Sequence, residues 1–285
     1  MRLINTSTHE IESFPRFAHP DIPPYAILSH RWGPDEVSLQ EMQVSASHRS
    51  LSLVSRFGYQ KILKCCEVAA SFGFEHVWID TCCIDKTNNV ELTEAINSMF
   101  NYYRNAEVCY AYLMDVPDDE DPAAKGSQFR ASEWFKRGWT LQELIAPDSL
   151  VFYDSGWEEI GTKFSLKNAI AEVTFIDPKA FLGIRDLKVD FSIAQKMSWA
   201  SRRRTERTED MAYCLMGIFG VNMPMIYGEG GRAFRRLQLE ILKTSGDHSI
   251  LAWSEPRATD YRYKCDHKEP HEFLAVKVPT PFQNI

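Results

Sequence analysis

The chain has 285 residues, of which 44% are hydrophobic and 25% are charged, and its formal net charge at pH 7 is −7. This composition is typical of a globular protein and excludes disordered and collagen-like chains. The acidic balance argues against a dedicated nucleic-acid binder, which usually has a large excess of lysine and arginine.

The cysteine pattern and the N-terminal residues indicate a reduced, intracellular environment. Seven cysteines in a chain of this length do not form a disulfide scaffold, and the adjacent pairs Cys65-Cys66 and Cys82-Cys83 suit neither zinc nor an ordinary disulfide. Residues 1–14 are polar and lack the apolar core of a signal peptide. No apolar run approaches the roughly 20 residues that cross a bilayer. We therefore expect a soluble, cytoplasmic protein with no membrane partner and no bound metal.

The first half of the chain predicts strands that alternate with helices. Short apolar runs predict strands at residues 25–29, 76–80, 108–113 and 150–153. Apolar residues at helical spacing predict helices at 59–72, at 139–145, and from a cap at Asn88 or Asn89 through Tyr103. Because strand and helix alternate at least three times, we predict an α/β fold with a parallel sheet and helices on both faces.

The second half predicts mainly helices, at residues 165–173, 193–200, 209–219 and 231–243, followed by a short strand at 249–253. We divide the chain into an α/β core at 1–157, a helical extension at 158–253 and a loosely held tail at 254–285. Because no linker-like stretch follows Trp157, we expect the extension to pack on the core within the same domain.

Polar residues gather where the predicted parallel strands end, which is where ligands bind in open α/β sheets. The members of this cluster are His30, Arg31 and Trp32 after the first strand, Asp80 and Asp85 after the second, and Arg137, Trp139 and Glu143 after the third. Their common position predicts a pocket that contains basic, acidic and aromatic groups.

Each of these residues also has an alternative interpretation. Trp32 and Trp139 would be core packing residues, and Asp80 and Asp85 would be turn or capping residues. Helical glutamates are usually solvated, but the helix that carries Glu143 is short and mostly apolar. Such surroundings would raise the pKa of the carboxyl group.

Two further segments are less informative, and the chain has no Walker, G-x-G-x-x-G, H-E-x-x-H or G-x-S-x-G motif. Residues 228–231, Gly-Glu-Gly-Gly, precede a helix and form either a phosphate-binding loop or, as we favour, a tight turn. Residues 202–204 are three consecutive arginines, which form either a solvated face or a surface for an anion or a partner.

The motifs together resemble a known family. The blocks at residues 25–33 (YAILSHRWG), 78–85 (WIDTCCID) and 137–144 (RGWTLQEL) are similar to the three blocks of the fungal heterokaryon-incompatibility (HET) domain. Residues 200–205, 209–219 and 225–230 resemble the region that follows those blocks. The resemblance implies a fungal cell-death effector of non-self recognition, with a fused or separate nucleotide-binding receptor as a partner.

A more distant resemblance implies a mechanism. HET domains resemble TIR domains, which have a flavodoxin-like sheet, and residues 139–144 are similar to the TIR block W-C-x-x-E-L, with Thr140 in place of cysteine. In enzymatic TIR domains that glutamate supports NAD cleavage, which implies a catalytic Glu143. NAD would then be a substrate and not a cofactor, with stacking from Trp32 or Trp139, pyrophosphate contacts from Arg31 and Arg137, and Asp80 and Asp85 either binding hydroxyls or ordering the loop.

Two classes of function therefore stay open. The first is an NAD glycohydrolase that forms a homo-oligomer on activation, with hydrolysis of another nucleotide or a nucleic acid as a weaker variant. The second is a non-catalytic death adaptor that signals by homotypic contact through exposed aromatic residues and residues 202–204.

Overall fold

Seven strands form one mixed sheet in the computed structural model, which describes residues 1–14, 22–44, 48–182 and 187–252. The strands are β1 (Arg2–Asn5), β2 (Ile11–Ser13), β3 (Ala26–His30), β4 (His76–Trp78), β5 (Val108–Tyr112), β6 (Leu150–Tyr153) and β7 (Glu159–Thr162). Their order across the sheet is β2-β1-β4-β3-β5-β6-β7.

The four central strands confirm the predicted parallel core. β4, β3, β5 and β6 are mutually parallel, and every residue of β3 and β5 is buried, as expected for strands with helices on both faces. In chain order these strands lie 2-1-3-4 across the sheet, which is the order of the first four strands in a flavodoxin-like sheet. The chain reverses direction across the sheet between β3 and β5, where such folds bind ligands.

Antiparallel strands, which the sequence did not predict, extend the parallel core at both edges of the sheet. β1 pairs antiparallel with β2 and β4, and β7 pairs antiparallel with β6. These strands are three or four residues long and partly exposed, so they lack the apolar runs that identify the central strands. β1 and β2, and likewise β6 and β7, form antiparallel hairpins, and β1 joins the core by pairing with β4. Sequence periodicity reveals none of these pairings.

Helices cover the sheet and fill the second half of the chain. Those of the first half are α1 (Leu39–Met42), α2 (Leu51–Val54), α3 (Phe57–Ser71), α4 (Asp80–Cys83), α5 (Asn89–Arg104), α6 (Gln128–Ala131) and α7 (Thr140–Ile145). Those of the second half are α8 (Lys167–Thr174), α9 (Leu187–Asp190), α10 (Ile193–Ala200), α11 (Asp210–Tyr213), α12 (Met216–Phe219) and α13 (Arg232–Thr244). None of these helices is both long and apolar enough to cross a membrane.

Most helix predictions are confirmed to within a few residues, and two predictions in the second half are wrong. The segment 209–219 is two short helices, α11 and α12, and not one. The break allows α12 to approach α5 so closely that a Cβ on Gly217 would lie 2.1 Å from Cβ of Phe100. The predicted strand at 249–253 is a 3₁₀ helix at His248–Leu251. Trp253 and the predicted tail at 254–285 lie outside the described residues.

The helical extension is joined to the core by backbone and side-chain hydrogen bonds. The amide of Gly138 donates to the carbonyl of Arg204 at 2.9 Å, and the amide of Arg204 donates to the carbonyl of Lys136 at 2.8 Å. Asn97 on α5 exchanges two hydrogen bonds with the backbone of Met223. These contacts bring the arginine-rich segment of the extension next to the start of α7.

Candidate active site

A cavity of about 540 Å³ lies at the carboxyl ends of the parallel strands, where the chain reverses direction across the sheet. Seven of the eight predicted site residues line it, namely His30, Arg31, Trp32, Asp80, Arg137, Trp139 and Glu143. The volume is within the range of small-molecule sites, about 300 to 1,000 Å³. The structure therefore brings together side chains that are more than 100 residues apart in the sequence.

Glu143 is buried in this cavity, with 8% of its surface exposed. It lies in the middle of α7, and every residue of that helix is buried. The hydroxyl of Ser29, on β3, donates a hydrogen bond to Oε2 of Glu143. The indole N–H of Trp134 donates to the same hydroxyl at 2.9 Å. The carboxyl group is therefore held by a buried strand and not by solvent.

Burial raises the pKa of Glu143 to about 8, because the ionised form loses its hydration. The negative charge of Asp80 raises the pKa further, whereas the hydrogen bond from Ser29 and the positive charge of Arg137 lower it. The carboxyl group is consequently neutral in most molecules at pH 7 unless a ligand brings a further positive charge next to it.

A network of polar contacts fixes the start of α7. The hydroxyl of Thr140 donates to the carbonyl of Trp134, and the buried guanidinium of Arg203 donates to the carbonyl of Arg137 at 2.8 Å and to the Thr140 hydroxyl at 2.9 Å. At the other end of α7, the buried ammonium of Lys163 donates to the carbonyl of Pro147. The position of Glu143 is therefore set at both ends of its helix.

Trp32 and Asp80 form one rim of the cavity. The indole N–H of Trp32 donates to Oδ2 of Asp80 at 2.7 Å, and Nζ of Lys86 lies 3.8 Å from the centroid of the Trp32 ring. Trp32 is 39% exposed, so its interpretation as a core packing residue is wrong. The side chain is partly accessible, with the ammonium of Lys86 over its ring and the carboxylate of Asp80 at its indole nitrogen.

His30 lies beneath this rim and is buried between two carboxyl groups. Its Nε2 is 3.7 Å from Oε2 of Glu36, and its Nδ1 is 3.9 Å from Oδ1 of Asp80. Burial, together with the positive charge of Lys61, lowers the pKa of His30 below its usual value. The imidazole is therefore neutral at pH 7.

Asp85 is the predicted site residue that lies outside the cavity. Its Oδ1 accepts hydrogen bonds from the backbone amide and the hydroxyl of Thr87 and from the side chain of Gln40. These contacts lower the pKa of the Asp85 carboxyl. Of the two roles that the sequence left open, the geometry favours the ordering of the loop between α4 and α5.

Two arginines of the cavity have no fixed acceptor. Arg31 is exposed and Arg137 is half-buried, and neither guanidinium forms a hydrogen bond or an ion pair with another residue of the described ranges. Both side chains line the same cavity as Glu143. They are therefore available to an anionic group on a ligand.

The far wall of the cavity comes from the helical extension and was not predicted. Its residues are Arg204, Thr205, Glu206, Arg207, Asp210 and Tyr227. Tyr227 donates to Oδ1 of Asp210 at 3.0 Å, and the guanidinium of Arg207 lies 4.5 Å from the centroid of the Tyr227 ring. The sequence signals were the arginine run and the segment 225–230, but neither indicated which wall of a pocket these residues would form.

The three consecutive arginines have three separate environments. Arg202 lies over the ring of Phe175, with 3.8 Å between its Cζ and the ring centroid. Arg203 is buried against the start of α7, and Arg204 forms an ion pair with Glu133. Arg203 is therefore closed to a partner, whereas Arg202 and Arg204 are exposed, and their interpretation as a partner surface stays a prediction.

The glycine-rich segment before α13 is a turn, as favoured from the sequence. Gly228 and Gly230 have φ angles of 97° and 58°, which side chains rarely adopt. Their amides donate to Oε1 of Glu209 at 2.8 and 2.9 Å. A carboxylate of the same chain therefore occupies the donors that a phosphate would need.

Metal-binding groups and reactive thiols are scarce in the described ranges. No cluster of three or more histidine, cysteine, aspartate or glutamate side chains with metal-binding geometry occurs there. The cysteines of both adjacent pairs are buried, and burial raises the pKa of the Cys66 thiol to about 12. These thiols pack as small hydrophobic groups.

Comparison with known proteins gives matches in both halves of the chain. Residues 25–128 match the family model described as "Heterokaryon incompatibility protein (HET)", and residues 232–278 match a family described as a domain of unknown function. The chain is 47% identical over 244 residues to "Vegetative incompatibility protein HET-E-1" of Podospora anserina. That alignment covers 83% of this chain but 17% of the relative. No solved structure matches.

Proposed function

We propose that this chain is a heterokaryon-incompatibility (HET) domain protein that acts as a cell-death effector in fungal non-self recognition, because residues 25–128 match that family model and 244 residues are 47% identical to an incompatibility protein. The chain spans only 17% of the length of the curated relative it matches. The proposed role therefore concerns the effector segment, and a fused or separate receptor would control it.

We further propose that the segment kills by cleaving the glycosidic bond between nicotinamide and ribose in NAD. The observation that carries this proposal is a buried carboxyl group, Glu143, in a cavity that also contains a partly exposed tryptophan and two arginines with no acceptor among the described residues. This combination suits a ligand with a positively charged ring, a sugar and a pyrophosphate. The resemblance of residues 139–144 to the TIR block supports the same substrate.

The chemistry requires one carboxylate and no general acid. When the C1′–N bond breaks, its electron pair moves to the pyridinium nitrogen, and nicotinamide leaves as a neutral base. Positive charge develops on the ribose, and an ionised Glu143 would stabilise it and accept a hydrogen bond from a ribose hydroxyl. Water then adds to C1′ and releases one proton, which gives ADP-ribose.

The raised pKa of Glu143 fits a cationic substrate. An opposite charge within about 4 to 6 Å favours the ionised form of a carboxyl group. Binding of the pyridinium ring would therefore lower the pKa of Glu143 from about 8 and generate the carboxylate where it is needed. A neutral ligand would leave the group protonated at pH 7.

The test is nicotinamide release by the full chain, measured by chromatography at several protein concentrations, because activity can depend on self-assembly. Glu143→Gln keeps the size of the side chain but removes its charge. We expect it to lower the rate by about a hundredfold or more. Glu172→Gln is the matched control, since Glu172 is a helical glutamate that pairs with Arg130 outside the cavity. Equal release by wild type and Glu143→Gln would refute the catalytic assignment.

The same experiment separates the alternatives. Cleavage of a different nucleotide in a panel, with loss in Glu143→Gln, would assign the cavity to another substrate. Cell killing that survives Glu143→Ala, together with the absence of any cleavage product, would favour the adaptor function.

A further inference from the structure

The indole ring of Trp134 is held rigidly behind the catalytic cavity. The side chain is 1% exposed, and it packs edge to face against Phe135 and Phe152, with ring centroids 5.1 and 5.6 Å apart. Its carbonyl accepts the hydroxyl of Thr140 at the start of α7. Both the ring and the backbone of Trp134 are therefore fixed relative to the helix that carries Glu143.

The Trp134 ring determines the direction in which the hydroxyl proton of Ser29 points. An indole N–H can only donate a hydrogen bond, and that of Trp134 points at Oγ of Ser29 at 2.9 Å. Ser29 therefore accepts from Trp134, and its own proton is directed to the carboxyl group of Glu143. Ser29 is fully buried on β3, so water does not compete for either bond.

We propose that Ser29 is a positioning residue for Glu143, and that Trp134 orients it. The proposal rests on the catalytic role proposed above. Ser29 holds Oε2 in place, while Tyr103 on α5, Asp80 and Arg137 also face the carboxyl group. Ser29 also stabilises the ionised form, because a hydrogen bond to a charged acceptor is stronger than one to a neutral acceptor.

A spectroscopic test does not depend on catalysis. In the ¹⁵N-labelled full chain, the indole signal of Trp134, assigned by its loss in Trp134→Phe, should shift with pH as Glu143 ionises, because Ser29 couples the two groups. We expect a midpoint near pH 8, no such shift in Glu143→Gln, and no such shift in Ser29→Ala. A Trp134 signal that titrates identically in all three proteins, or in none, would overturn the proposal.

The catalytic arm uses the pH profile of kcat/KM for NAD. Removal of the Ser29 hydroxyl should move the midpoint of the acid limb to higher pH by at least half a unit and lower kcat/KM at pH 7 at least tenfold. Trp134→Phe should shift the midpoint in the same direction by less, because Ser29 keeps its hydroxyl but loses the donor that orients it. Should Ser29→Ala not fold, Trp134→Phe alone decides the question, and an unchanged midpoint contradicts the proposal.

Ser127→Ala is the matched control. Ser127 is also buried, and its hydroxyl donates to the carbonyl of Pro122, away from the cavity. Its replacement should leave both midpoints unchanged. If neither the wild type nor any variant cleaves NAD but the indole signal of Trp134 still titrates as expected, the positioning of Glu143 stands and the choice of substrate is wrong.

Discussion

Replacement of Glu143 by glutamine should change how the stability of the protein depends on pH. The carboxyl group has a pKa of 4.5 when unfolded and about 8 when folded. Because burial favours the protonated form, its contribution to stability is present in full below pH 4.5 and is lost as the pH rises towards 8. Each pH unit in this window lowers the free energy of unfolding of the wild type by about 1.4 kcal/mol, whereas glutamine does not titrate.

The difference between the two proteins isolates this one group. Between pH 5 and pH 8, the free energy of unfolding of the wild type should fall by about 3 to 4 kcal/mol relative to that of Glu143→Gln. That is a large part of the roughly 5 to 15 kcal/mol that stabilises a typical domain. Urea unfolding followed by circular dichroism at pH 5, 6, 7 and 8 measures it. A stability difference that stays constant across this range would refute the conclusion that Glu143 is buried without a compensating cation.

Three further predictions concern packing, charge and ligand selectivity. Gly217→Ala should destabilise the protein by about 1 to 3 kcal/mol in the same unfolding assay, because the new methyl group would overlap Phe100. Gly231→Ala is the control: a Cβ at position 231 would have no neighbouring atom within 4 Å, so this variant should change stability little. Asp80→Asn removes a negative charge that raises the pKa of Glu143. The stability of Asp80→Asn is compared across pH with that of the double variant that also carries Glu143→Gln, and the midpoint of their difference should fall below pH 8. Calorimetry with a non-hydrolysable NAD analogue that keeps the cationic ring should show that its affinity relative to that of NADH, whose nicotinamide ring is neutral, is higher at pH 9 than at pH 6. Glu143→Gln should remove this dependence, and a constant affinity ratio in the wild type would contradict the prediction.

The central fold was predictable because its signals are local and strong. The parallel strands are continuous apolar runs, and the long helices α3, α5 and α13 have apolar residues at helical spacing, so each element identifies itself from its own residues. The edge strands and the break between α11 and α12 depend on contacts with distant segments. The approach of Gly217 to Phe100 is such a contact, and no local pattern predicts it.

The candidate site was predictable on one side only. A general rule places the residues that follow parallel strands at one edge of the sheet, and that rule located seven of the eight side chains. It gave no information about Ser29, which lies inside a strand, or about Trp134, which precedes the motif. It also failed for Asp210 and Tyr227, because the wall they form depends on how the extension packs.

Folding and the proposed catalysis place opposite demands on Glu143. Burial by the apolar helix, the strand β3 and the aromatic cluster around Trp134 favours the neutral carboxyl group. The same burial would make the ionised carboxylate interact strongly with a positive charge, because little water screens it. A hydrogen bond from Ser29 reduces the conflict but does not remove it, because the pKa stays about 8. In the proposed mechanism, a cationic ligand supplies the remaining compensation. Under the proposed mechanism, the free protein would be poorly poised for reaction at pH 7, and the ligand that supplies the missing charge would also create the carboxylate that acts on it.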